Sequence, residues 1–194
     1  MTKTERQRLE EILGKLAGED KEFLKNYIER DSLTALYNRT YYNENIEDIV
    51  QENKSWGVVF LDINKFKYLN DNFGHEQGDK YLKGLSNTIQ SSIKAADYAI
   101  RWGGDEFVIL LLNANKSTGP AVIKRIDSKL DKYNKYNKLE KHKQGNLISC
   151  ELRVASGYAF GECKSPANVT KLIDIADEMM YKEKEKEKEK ACIA

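Results

Sequence analysis

A chain of 194 residues with a net charge of +1 is long enough for one sizeable core plus an appendage, and its balance leaves no basic footprint for nucleic acid or an anionic membrane surface. No apolar stretch reaches the length of a membrane span, and the opening residues do not read as a signal peptide. Three cysteines (Cys150, Cys163, Cys192), odd in number and far apart, fit neither a disulfide framework nor a zinc site, so a reducing cytoplasmic setting is expected.

In chain order, residues 1–30 read as a polar helical segment with apolar positions at helical spacing (Leu9, Ile12, Leu13, Leu16). The "AGED" stretch at 17–20 either divides it into two helices or weakens one. The segment docks on its own domain or pairs with a second subunit; periodicity ranks neither reading. "DSLTALYNR" (31–39) is turn-like, and 39–53 is helical. "WGVVFLDI" (56–63) is a buried strand ending on an acid. A short helix over 65–72, the "FGH" turn at 73–75 and a longer helix over 76–94 follow. Residues 98–112 read as a hairpin, then 117–139 as a helix, 147–160 as an alternating strand and 168–190 as a last helix. This order belongs to an α+β domain with helices on an antiparallel-rich sheet.

The hairpin tip, "RWGGDEFVILLL" (101–112), carries two glycines and two acids before six apolar residues. Gly103 and Gly104 suit a tight turn through positive φ, and the run after them suits a strand buried on both faces. Adjacent carboxylates at Asp105 and Glu106 repel, so something positive belongs beside them. Asp62, at the end of the preceding strand, converges on Asp105 if the two strands are neighbours. Hard oxygen ligands without Cys or His suit Mg²⁺ or Mn²⁺, whose shell phosphate oxygens would complete.

"NKFKYLND" opens a helix directly after Asp62, offering the N–H groups of 64–67 to phosphate, without the Gly-rich Walker pattern. Asn70 and Asp79 together provide an amide and a carboxylate able to read the Watson–Crick edge of guanine. Taken singly, each has a plain structural reading, as a helix-turn residue and a helix N-terminal charge. In the "YKEKEKEKEK" tract, Lys184 and Lys188 share a helix face, and an anion along it would relieve their repulsion.

"RWGGDEF" (101–107) together with "LDINKFKYLNDNFGHEQGD" (61–79) closely resembles the diguanylate cyclase, or GGDEF, domain. "DSLTALYNR" is similar to that family's entry turn, and "VASGYA" (154–159) and "ADEMMYKEK" (176–184) resemble its late strand and last helix. The resemblance covers residues 31–190, with 1–30 as an N-terminal helical or signalling segment. It implies a palm-like fold and condensation of two GTP into cyclic di-GMP with release of two pyrophosphates, at the interface of a homodimer. It implies Asp62, the Ile63 carbonyl and Asp105 as metal ligands, with Glu106 assisting and Asp105 helping to deprotonate the 3′-hydroxyl. Asn70 and Asp79 then match the guanine readers, Phe66 and Lys67 the backbone phosphate cradle, and Lys184 a phosphate-binding lysine.

Three departures stand out. Lys188 occupies a position where the family carries arginine, which keeps the charge and loses the bidentate fork. "KAAD" (Lys94 to Asp97) replaces an arginine-x-x-aspartate inhibitory site, so weak product inhibition is expected. Asn64 stands where aspartate is common. The alternative to an active enzyme is a non-catalytic relative that binds nucleotide as a sensor or interaction module. Such relatives usually lose one of the three acids kept here.

Overall fold

The computed structural model describes residues 3–51, 55–143 and 151–193. Helices α1 (Lys3–Lys15) and α2 (Gly18–Glu29) precede strand β1 (Tyr37–Asn38), α3 (Arg39–Gln51) and β2 (Ser55–Ile63). Then come α4 (Phe66–Phe73), α5 (His75–Gln90), β3 (Tyr98–Arg101), β4 (Glu106–Leu112), α6 (Thr118–Lys143), β5 (Val154–Glu162) and α7 (Pro166–Ile193). The "AGED" stretch does separate two helices, with Ala17 extended between them.

The strands form one sheet in the order β1-β3-β4-β2-β5, antiparallel except for the parallel β1–β3 pair. The two-residue β1 is absent from the sequence reading because so short a segment carries no periodicity. Side chains alternate across the sheet, which sets two cores. Val59, Leu61, Phe107 and Ile109 face α5 and α6, packing on Leu85, Ile89, Ile126 and Leu130. Val58, Phe60, Val108 and Leu110 face α3 and α7, packing on Ile46, Val169, Ala176 and Met180. By that parity Asp62 and Glu106 point to the α7 side.

Several boundaries differ from expectation, α6 running on to Lys143 and α7 to Ile193 among them, and two have a cause in side-chain hydrogen bonds. Helix α5 stops at Gln90, because the Ser91 and Ser92 hydroxyls both donate to Thr88 O (3.1 and 2.7 Å) and close the last turn. Strand β5 begins at Val154, and residues 147–150 lie outside the described residues. Just before it, the Asn134 side chain of α6 takes both the N–H and the C=O of Leu152 (2.8 and 3.0 Å), removing them from any ladder. At the other end of the chain, α2 lies against α3. A cavity of about 320 Å³ opens between α1, α2 and α3, lined in part by Leu9, Leu13, Ile28 and Tyr41. Phe23 and Tyr27 of α2 are exposed. Among the described residues no helix is long and apolar enough to cross a membrane.

Candidate active site at the β2–β4 strand ends

The antiparallel register sets Asp62 directly opposite Glu106, and Ile63 N–H donates to Asp105 O at 3.2 Å. The three acids expected to work together are thus brought to one end of the two central strands. Asp62 is only 6% exposed. Its Oδ1 forms an ion pair with Lys184 Nζ at 2.6 Å. Burial pushes the Asp62 carboxyl above the ordinary carboxylate range; Lys184 pulls it back, and Asp105 pushes it up again. Burial likewise raises Glu106, with Asp62, Asp105 and Asp177 adding to the rise and Lys184 opposing it. Among the described residues Lys184 is set against Asp62, Asp105, Glu106 and Asp177. A divalent cation would offset the surplus of negative charge.

The glycines of the turn act differently from the expectation. Neither takes a positive φ; among the described residues Gly74 is the glycine that does, at +82°. Gly103 lies against the Glu106 carboxylate: a Cβ there would stand 2.5 Å from Oε2, so a side chain at this position would shift the carboxylate end of Glu106. A Cβ on Gly104 would meet nothing within 4 Å. The turn is closed by Trp102 N–H donating to Glu106 O at 2.8 Å. Arg101 braces it from outside: Nη2 donates to Gly104 O (2.7 Å) while Nη1 reaches both carboxylate oxygens of Asp31 (3.0 and 3.1 Å). The entry turn and the acid turn are therefore one clasp, joined across 70 positions of sequence.

Helix α7 supplies Lys184 because it lies directly on β5. A Cβ on Gly157 would come 1.8 Å from Ala176 O, so only glycine lets the helix backbone approach this closely. Lys188 follows one turn later on the same helix; its side chain lies outside the described residues. Asp177, two turns before Lys184 on the same face, also belongs to this electrostatic cluster: burial raises it, with Asp174 and Asp62 contributing. The sequence reading passed over it. The seven-residue spacing to Lys184 is the signal that would have found it.

The guanine and phosphate candidates sit on α4 and α5. Lys65 turns the chain from β2 into α4 in the left-handed region (φ 58°), and no side chain caps the helix. Phe66 is half-buried against the core, and Lys67 is exposed. The cradle is shorter than expected at its start, because Asn64 N–H donates to Arg153 O at 2.9 Å. Asn70 leans over the first turn of α5: a Cβ on Gly78 would stand 2.0 Å from Asn70 Oδ1. Among the described residues that buried Oδ1 has no hydrogen-bond partner. Asp79, next to Gly78, is exposed.

At the expected inhibitory site, Asp97 is committed to its own turn. Its Oδ2 accepts from Lys94 N–H (2.9 Å) and its Oδ1 from Leu112 N–H (3.0 Å), while Lys94 is exposed. Burial pushes the Cys163 thiol up to about 11, in keeping with an inert core cysteine; Cys150 lies outside the described residues.

A mixed five-stranded sheet with helices on both faces, and acids at the ends of adjoining central strands, defines a palm-like domain of the nucleotide-cyclase kind. Residues 28–190 match the family described as "Diguanylate cyclase, GGDEF domain". The chain belongs to that family. It is 31% identical over 164 residues to diguanylate cyclase DosC of Escherichia coli (strain K12), covering 82% of this chain and 34% of DosC. With diguanylate cyclase DgcS of Shewanella oneidensis it shares 33% over 158 residues, 79% of this chain and 49% of DgcS. The chain thus spans a third to a half of these relatives. Its fold is similar to the coiled coil and GGDEF domain of DgcB from Caulobacter crescentus, solved in complex with c-di-GMP. The TM-score is 0.71 at 23% identity, over 92% of this chain and 87% of that one.

Proposed function

We propose that this chain is a diguanylate cyclase that condenses two GTP into cyclic di-GMP and two pyrophosphates, acting as a homodimer in the cytoplasm. The observation that carries the reading is the convergence of Asp62, Asp105 and Glu106 with Lys184 at one strand end.

Among the described residues no three His, Cys, Asp or Glu side chains form a metal cage. Two carboxylates and a carbonyl (Asp62, Asp105, Ile63) are nonetheless what Mg²⁺ or Mn²⁺ takes from a protein when phosphates complete its shell. The hard oxygen donors and the surplus negative charge fit that ion. Bound there, it would neutralise triphosphate charge and lower the pKa of the attacking hydroxyl.

The remaining work falls to the chain. Asn70, with its unpartnered amide oxygen, and Asp79 read guanine; a base with the wrong donors leaves Asn70 Oδ1 buried and unpaired, which favours GTP over ATP. Backbone groups at Phe66 and Lys67 receive phosphate oxygens, and Lys184 with Lys188 grips the triphosphate. In each of two displacements a 3′-oxygen bonds to the α-phosphorus of the other GTP, the bond to pyrophosphate breaks, and Asp105 helps take the hydroxyl proton. Since each chain carries one guanine-reading pair, two chains face each other. With Asp97 held in its own turn and lysine at position 94, product inhibition is weak.

Incubation with GTP and MgCl₂, read by mass spectrometry, tests this reading. Cyclic di-GMP is expected from the parent and none from Asp105→Ala. GTP binding without any product at high protein concentration would instead mark a nucleotide-binding module.

A further inference from the structure

We infer that Glu183 is a positioning residue for the substrate triphosphate, acting through Lys184; the inference rests on the function proposed above. Strand β5 is the outer strand of the sheet, paired on one side with β2. Its free edge is met by Glu183, whose Oε2 accepts from the Ser156 N–H and from the Ser156 hydroxyl (3.2 Å). One residue further along α7, Lys184 Nζ reaches Asp62 at 2.6 Å.

Helix α7 needs such a hold. Its core contacts run through Val169, Leu172, Ile173, Ala176 and Met180, and among the described residues none beyond Met180 is buried. Past that point the tract alternates Lys and Glu, placing like charges at i, i+4, which disfavours a helix end. Lys184 therefore stands where the helix has left the sheet's apolar face and would fray. A carboxylate bonded to an edge-strand N–H is charge-assisted and satisfies a backbone donor that the sheet leaves open. It fixes the helical turn that carries Lys184, so the ammonium is held at the acid edge before substrate arrives. Pre-organisation of this kind shows in binding of the phosphates that Lys184 touches.

The test compares Glu183→Ala, Glu183→Gln and Ser156→Ala with the parent chain, in MgCl₂. Glu183→Ala is expected to raise the KM for GTP about tenfold with kcat changed by less than about threefold, the scale of one hydrogen bond to a charged group. In titrations its affinity for GTP falls by a similar factor while that for GMP, which lacks the β- and γ-phosphates, stays within about twofold. Glu183→Gln, which keeps an acceptor oxygen, restores most of the loss, and Ser156→Ala gives a smaller loss in the same direction. An unchanged KM in Glu183→Ala would overturn the inference. So would equal weakening of GTP and GMP, which marks a general structural defect. A parent chain that neither turns over GTP nor binds it more tightly than GMP would overturn the function itself, and is told apart because it appears before any substitution.

Discussion

Asp31 and Asp62 flank the same glycine turn and are treated oppositely by the fold. Asp31 accepts from Thr34 N–H (2.9 Å), from the Thr34 hydroxyl (2.7 Å) and from Arg101. Burial raises its carboxyl, but the Thr34 hydrogen bonds and Arg101 outweigh this and hold it below the ordinary range. Asp62 is more deeply buried, has Lys184 as its ion-pair partner and repelling acids beside it, and its carboxyl is raised. The chain's own donors answer the charge of Asp31, whereas among the described residues the acids around Asp62 outnumber the cations. A fold tolerates such a patch where something else is meant to bind.

The sharpest way to break that contrast is Asp105→Asn. Turnover is expected to fall by at least about a hundredfold, the effect of removing a proposed metal ligand at the acid edge. In EDTA, without substrate, the same variant is expected to melt about 2 °C higher than the parent, because repulsion on Asp62 and Glu106 is relieved. Loss of activity accompanied by a lower melting temperature would mean that the acids are structural and the contrast is wrong.

Asn70, proposed to read guanine, extends the comparison: its buried Oδ1 also lacks a hydrogen-bond partner among the described residues. Gly78→Ala would improve helix propensity in α5 yet drive a methyl group to 2.0 Å from Asn70 Oδ1. The expected outcome is a KM for GTP raised about tenfold, with a melting temperature within about 2 °C of the parent. A change in KM of less than twofold would show that Asn70 need not stay where it is.

The motif-bearing parts were legible in the sequence because their signals are local. The runs 56–63 and 107–112 became the paired central strands β2 and β4, which brought Asp62 beside Asp105 and Glu106. What escaped depends on partners distant in sequence. Asn134 stealing the backbone groups of Leu152, Arg101 reaching Asp31, and Glu183 meeting Ser156 leave no periodic trace. Dihedral freedom does not account for Gly103, whose φ is not positive; what it abuts is the Glu106 carboxylate, a contact set by the tertiary turn.

The smallest effect comes from the completed site, through pH. Because the folded-state pKa of Asp31 lies below the ordinary aspartate value of 3.8, the folded clasp holds its proton less tightly than the unfolded chain does. Its stabilising contribution is therefore fully present above that value and fades as pH falls from 3.8 through the lower folded value. Asp31→Asn keeps an acceptor for Thr34 but removes the charge facing Arg101. At pH 7 the variant is expected to unfold at lower urea concentration than the parent, by a modest amount because the pair keeps some contact with solvent. Below pH 3.8 the two midpoints should converge. Asp62, Glu106 and Asp177 cannot mimic this trend: burial and neighbouring acids raise them, so their protonation on acidification favours the folded state in both proteins alike. A midpoint difference that persists unchanged at pH 3 would place the stabilisation in the shape of the turn, and not in the charge of Asp31.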